Sequence, residues 1–131
     1  MAAVSLAKKD GCDFIIGLGG GSSSDTAKGV AIMMANPGDI WDYCDFGTGG
    51  RKKVENAFPV MAISTTAGTG TETDPYAVVT NAENGEKFDF AGHALFPRIS
   101  IIDPALPPSL PAFLTLSHGV AALFHSAKCS V

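Results

Sequence analysis

Three short apolar runs divide the chain. Residues 13 to 18 (Asp13-Phe14-Ile15-Ile16-Gly17-Leu18), 58 to 63 (Phe58-Pro59-Val60-Met61-Ala62-Ile63) and 99 to 103 (Ile99-Ser100-Ile101-Ile102-Asp103) each predict a strand. The first is continuous rather than alternating, the pattern of a strand buried on both faces of a parallel sheet. Between the first two runs, Ala27, Val30, Ala31 and Met34 recur at i, i+3, i+4 and i+7 and predict a helix with one face on that sheet. Ser22 with Asp25 three residues on has the form of a capping box for its start, and Asn36-Pro37-Gly38 marks its end. Residues 2 to 9 read as the end of an earlier helix, stopped by Asp10-Gly11. Tyr76-Ala77-Val78-Val79-Thr80 and Glu86-Lys87-Phe88-Asp89-Phe90 flank Asn84-Gly85 and predict a hairpin. This order implies an α/β layer with a parallel core and an appended antiparallel hairpin. Residues 104 to 111 are rich in proline, a hinge signal, and residues 112 to 131 read as a helix whose end carries no closing signal. The expected division is therefore 1–111 and 112–131.

Composition narrows the classes. At 131 residues, 46% hydrophobic and 17% charged, the chain has the balance of an ordinary globular protein. Its net charge of −4 argues against nucleic acid, whose binders carry basic patches, and Arg51-Lys52-Lys53 in a glycine-rich loop reads as solvated. Cys12, Cys44 and Cys129 are odd in number, irregularly spaced and without a C-x-x-C, so reduced cytoplasmic thiols are expected. No leader pattern opens the chain and no apolar run has membrane-spanning length, so a soluble cytoplasmic protein is expected. Met33, Met34 and Trp41 read as packing residues.

Two loops carry the candidate chemistry. Gly19-Gly20-Gly21-Ser22-Ser23-Ser24-Asp25-Thr26-Ala27-Lys28 follows the first strand as turn and helix start. Glycines there let a bulky anion approach the backbone, and helix N–H groups with the positive end of the dipole face it; a pyrophosphate is the expected guest. Ser64-Thr65-Thr66-Ala67-Gly68-Thr69-Gly70-Thr71-Glu72 follows the second strand with hydroxyls and more glycines. Two such loops suggest a nucleotide. The standard G-x-G-x-x-G fingerprint is absent, since Ser22 stands where its third glycine would fall, and no Gly-Lys-Ser/Thr of a P-loop follows.

Gly-Gly-Gly-Ser-x-x-Asp-x-x-Lys followed by Thr-Thr-Ala-Gly-Thr-Gly-x-Glu resembles the iron-containing (group III) alcohol dehydrogenase family. The resemblance implies a partial Rossmann-like, dehydroquinate synthase-like α/β coenzyme domain, followed by the first helix of an all-α domain. It implies that Gly19, Gly20, Gly21 and Ser22 hold the pyrophosphate of NAD or NADP, and that Thr65, Thr66, Gly68 and Thr69 lie along the coenzyme. Asp25 matches the family's helix-start aspartate, with capping as the alternative role, and Lys87 matches a lysine near the nicotinamide ribose, with an ordinary surface lysine as the alternative. Gly119-Val120-Ala121-Ala122-Leu123-Phe124-His125-Ser126 resembles the family's metal-binding helix, in which an aspartate and a histidine at i and i+4 ligate Fe2+ or Zn2+. His125 matches the histidine; Ala121 stands at the aspartate position and has no ligating atom, and Lys128 replaces a usual glutamate. His93 and His118 fall off the ligand positions.

The leading expectation is thus an oxidoreductase that transfers hydride between a small alcohol or aldehyde and NAD(P), here as a coenzyme core truncated at both ends with a defective metal site. The alternatives are a non-catalytic nucleotide-binding or assembly module, and a remnant prone to self-association. Neither nucleic acid nor membrane is an expected partner, and a homo-oligomer is left open.

Overall fold

The computed structural model describes residues 2–107 and 110–130. Helix α1 (Ala2–Asp10) leads into strand β1 (Ile15–Gly19), helix α2 (Gly21–Ala35), a short helical turn at Ile40–Tyr43 and strand β2 (Val60–Ser64). The hairpin strands β3 (Tyr76–Thr80) and β4 (Lys87–Ala91) follow, then a turn at His93–Leu95, strand β5 (Ile99–Ile102) and helix α3 (Ala112–Lys128). The three expected apolar runs form one parallel sheet in the order β1-β2-β5. Ile15 pairs with Val60 and Gly19 with Ser64, while Met61 pairs with Ile99. The hairpin is a separate antiparallel pair running from Tyr76↔Ala91 to Thr80↔Lys87.

Helix α2 lies between these two sheets and is buried on both sides. Ala27 and Ala31 pack on Val60 of β2, whereas Ile32 and Met33 join Ala77, Phe90, Leu95, Tyr43 and Cys44 in the larger core under the hairpin. The approach to β1 is close: a Cβ on Gly17 would meet the Ala27 Cβ at 3.0 Å and the Ser24 Cα at 3.1 Å. Small residues at these positions thus set the helix-to-strand distance.

Three expectations need correction. Strand β1 is covered on one face rather than two: Gly17 is buried beside α2, while Leu18 is 62% exposed on the strand whose apolar run predicted burial on both faces; in β2, Val60, Ala62 and Ser64 are buried, and all four residues of β5 are exposed. A run of apolar residues states that a face suits burial, not which element covers it. The α2 cap is Gly20 with no side-chain hydrogen bond, so Ser22 and Asp25 do not form a capping box; the helix begins at Gly21, one residue ahead of the serine. The buried face of α2 is also wider than the periodic apolar positions and includes Ser24 and Lys28.

Helix α3 follows the proline-rich stretch, as expected, and none of its residues is buried. No helix among the described residues is long and apolar enough to cross a membrane. The cysteines are free, Cys12 and Cys129 exposed and Cys44 buried.

Candidate functional site

At the end of β1 the chain turns sharply. Gly19 has φ of +140°, a region that favours glycine, and a Cβ there would run into the Ser23 hydroxyl. The Ser23 and Ser24 amides donate to the Gly20 carbonyl at 3.0 and 3.3 Å and close the first turn of α2. The amides of Gly21 and Ser22 precede any helical carbonyl that could accept from them, and the dipole of the fifteen-residue α2 adds positive potential there. Backbone and helix end together make an anion-facing turn.

The threonine loop leaves β2 beside it. The Thr65 amide donates to the Gly19 carbonyl at 2.9 Å, and the Ser64 hydroxyl donates to the Thr66 carbonyl at 2.8 Å. The two loops then pack directly on each other. A Cβ on Gly20 would meet Thr66 Cγ2 at 3.1 Å, and one on Gly21 would meet Thr69 Cγ2 at 2.8 Å. Glycine at these positions therefore makes room for the threonine side chains as well as for an anion. Gly68, with φ of +134°, passes under α3, where a Cβ would strike the His118 carbonyl. The Thr66 hydroxyl, one Glu72 carboxylate oxygen and His118 Nδ1 are buried without a hydrogen-bond partner. Orphaned polar atoms of this kind are rare in folded proteins and call for a partner.

Beneath the threonine loop lies a charged brace. Lys28 is 0% exposed. Its ammonium donates to the carbonyls of Thr71, Asp74 and Tyr76 at 2.7, 2.8 and 2.7 Å, to the Thr71 hydroxyl at 3.0 Å and to Asp74 Oδ1 at 3.1 Å. The Thr71 hydroxyl in turn donates to Asp25 Oδ1 at 2.9 Å. Asp25 and Lys28, three residues apart, share one face of α2 and grip the far end of the threonine loop. Burial pushes the Asp25 carboxyl above its ordinary range, against the opposing pull of the Thr71 hydrogen bond, the Val78 amide and the Lys28 charge. Asp25 thus ties the helix to the loop, and the alternative of N-terminal capping is not realised.

The structure brings together Gly19, Gly20, Gly21, Ser22, Thr65, Thr66, Gly68 and Thr69, with Asp25 behind them. Lys87 sits opposite Thr80 on the hairpin, exposed, on the face that also carries Tyr76 and Val78. His125 lies exposed near the end of α3, with Ala121 one turn before it. Among the described residues no three His, Cys, Asp or Glu side chains gather in a way that could hold a metal ion, so the donor set present does not make up a metal site. His93 packs edge-on against Phe96, centroids 5.5 Å apart. Trp41 donates to the Thr48 hydroxyl at 2.9 Å and lies 6.2 Å from the Phe88 ring, a packing role as expected. Lys52 pairs with Asp42 at 2.8 Å at the surface. Sequence reasoning assigned no role to Lys28, Thr71 or Asp74. The available signal was Lys28 itself, a cation set between Ala27 and Ala31 on an otherwise apolar helix face.

Residues 1–104 match the family described as iron-containing alcohol dehydrogenase. The chain belongs to the iron-containing alcohol dehydrogenase family. Among its curated relatives, the NAD-dependent methanol dehydrogenase of Bacillus methanolicus is 40% identical over 129 residues, covering 98% of this chain and 32% of that enzyme. The crystal structure of NADH-dependent butanol dehydrogenase A from Thermotoga maritima matches with a TM-score of 0.88 at 40% identity, over 95% of this chain and 30% of that one. Sulfoacetaldehyde reductase from Bifidobacterium kashiwanohense, solved in complex with NAD+, matches with a TM-score of 0.83 at 34% identity, over 92% of this chain and 31% of that one. The chain thus spans about a third of the length of these relatives. Both loops of this iron-containing alcohol dehydrogenase chain fall inside the family match, and α3 falls beyond it.

Proposed function

We propose that this chain forms the nicotinamide-dinucleotide cradle of an iron-type alcohol dehydrogenase. The observation that carries the reading is the interlocked pair of loops: a glycine turn opening a long helix, overlaid by threonines, one of whose hydroxyls is buried without a partner. In this reading the Gly21 and Ser22 amides hold the coenzyme pyrophosphate, helped by the α2 dipole. Thr65, Thr66, Gly68 and Thr69 line the coenzyme beyond it, with the Thr66 hydroxyl supplying a hydrogen bond. Lys87 reaches the nicotinamide side from the outer face of the hairpin. NAD, named for two of the relatives, is the coenzyme expected to bind, and small alcohols or aldehydes are the substrate class of the complete enzyme.

When bound, the nicotinamide ring supplies the hydride acceptor or donor. The residues of this chain orient it: the two loops fix the phosphates and ribose, and Asp25 and Lys28 hold the loops. We assign residues 1–111 to the coenzyme unit and 112–131 to the start of a helical unit, a division supported by the absence of any buried residue in α3. The free cysteines favour a cytoplasmic setting, and the charge of −4 speaks against a nucleic-acid partner.

Ala121, at the family's aspartate position, favours a second reading in which the cradle binds coenzyme without turnover. Alcohol-dependent NADH production by the purified chain with added Fe2+ or Zn2+ would overturn that second reading. The primary test is a fluorescence titration with NADH and NADPH. Saturable binding is expected, lost in Gly20→Val, whose branches would force Thr66 aside. No binding at millimolar nucleotide would refute the cradle.

A further inference from the structure

Lys28 raises a question that coenzyme binding alone does not answer. An ammonium held at 0% exposure is costly unless its charge is fully compensated, and a neutral side chain of similar length would fill the same space. What the charge supplies is convergence. Three carbonyls and a hydroxyl from the stretch 71–76 are drawn to one nitrogen at 2.7 to 3.0 Å, and that stretch is the direct continuation of the threonine loop. Thr71 is the joint, since its hydroxyl accepts from Lys28 and donates to Asp25. The helix therefore holds the loop at two points. Four residues, about 6 Å of helix, separate Asp25 from Gly21. Over that distance the two loops are in contact with no slack, because Thr69 leaves only 2.8 Å to a Cβ on Gly21 and Thr66 only 3.1 Å to one on Gly20.

We propose that Lys28, Thr71 and Asp25 form a positioning assembly that sets the spacing of the threonine loop over the glycine turn, and so the fit of the coenzyme beyond its pyrophosphate. None of the three acts by touching the coenzyme. The inference rests on the coenzyme reading above and concerns how that site is held.

The test compares two nucleotides on the whole chain. ADP uses the glycine turn through its pyrophosphate, whereas NADH also uses the threonine loop. Thr71→Val removes the joint hydroxyl and keeps the side-chain shape. At a temperature where circular dichroism shows the variant folded, we expect ADP affinity within about twofold of the parent and NADH affinity about tenfold weaker, because a loop that is no longer preorganised must be ordered on binding. Thr71→Ser, which restores the hydroxyl, should return NADH binding to within about twofold of the parent. Thr71→Ala, which cannot overfill the site, gives the same reading if the valine variant does not fold. Equal losses for ADP and NADH, or no loss for either, would overturn the positioning role while leaving the cradle standing. If the parent chain binds neither nucleotide, the cradle itself fails, and the positioning role fails with it.

Discussion

Replacing Lys28 by methionine isolates the energetic worth of the buried brace. Methionine keeps the length and most of the packing, and removes the ammonium that holds five contacts, one of them an ion pair of 3.1 Å to Asp74. Thr71 is buried, so its carbonyl is orphaned by the change, whereas the Asp74 side chain is 34% exposed and can be rehydrated. Breaking a buried charge pair by removing one partner costs about 3–5 kcal/mol, and water access at Asp74 trims this to about 2–3 kcal/mol. For a chain of this size each kcal/mol moves the unfolding midpoint by about 3 °C, so a drop of roughly 6–9 °C is expected. Urea unfolding at neutral pH, followed by far-UV circular dichroism, reads the same loss as a lower midpoint with an unchanged slope. The loss should shrink as the pH falls, because Asp25, whose carboxyl burial pushes above its ordinary value, takes up a proton and no longer carries a charge that the missing ammonium leaves uncompensated. A variant as stable as the parent at neutral pH would show that the brace is not an energetic element of the fold.

Further expectations follow from individual groups. Burial raises the Asp25 carboxyl above its ordinary value of 3.8, so ionising it costs the folded state stability as pH rises from that value through the raised one. Asp25→Asn, which keeps an acceptor for Thr71, should therefore gain in stability relative to the parent between acid and neutral pH; a difference independent of pH would contradict this. Burial pushes the Cys44 thiol up to about 11, with Asp45, Asp89 and Asp39 adding to the shift. A disulfide reagent at mildly alkaline pH should accordingly titrate Cys12 and Cys129 quickly and Cys44 only on unfolding, and three equally fast thiols would refute its burial. Phe90 is fully buried where the hairpin meets α2, so Phe90→Ala should cost about 3–5 kcal/mol in urea unfolding, and a cost below about 1 kcal/mol would mean that the hairpin core is not packed as described.

Much of this arrangement was legible in the chain because its causes are local. The apolar runs at 13 to 18, 58 to 63 and 99 to 103 became the three parallel strands, and Asn84-Gly85 became the turn of the hairpin. The two loops were recognisable from their glycines and hydroxyls, and the structure places them side by side. What stayed hidden depends on partners far away in sequence. Lys28 finds its acceptors 43 to 48 residues along, so its burial could not be read from its neighbours. Gly20 and Gly21 read as room for an anion, yet a Cβ at either position would meet the side chain of Thr66 or Thr69. Ser22 has the right spacing for a capping box, but Gly20 takes the cap position and the Ser22 carbonyl instead accepts from the Thr26 hydroxyl at 2.7 Å. The uncovered face of Leu18 was missed because an apolar run carries no information about which layer packs on it.

The central claim is that the two loops together form a coenzyme cradle, and the most direct measurement is an amide-resolved NMR titration of the isotope-labelled chain with NADH. Shifts concentrated at Gly19 to Ser22 and Thr65 to Thr69, saturating together, are the expected result. Unchanged amides at both loops up to millimolar NADH, or saturable shifts confined to α3, would contradict it.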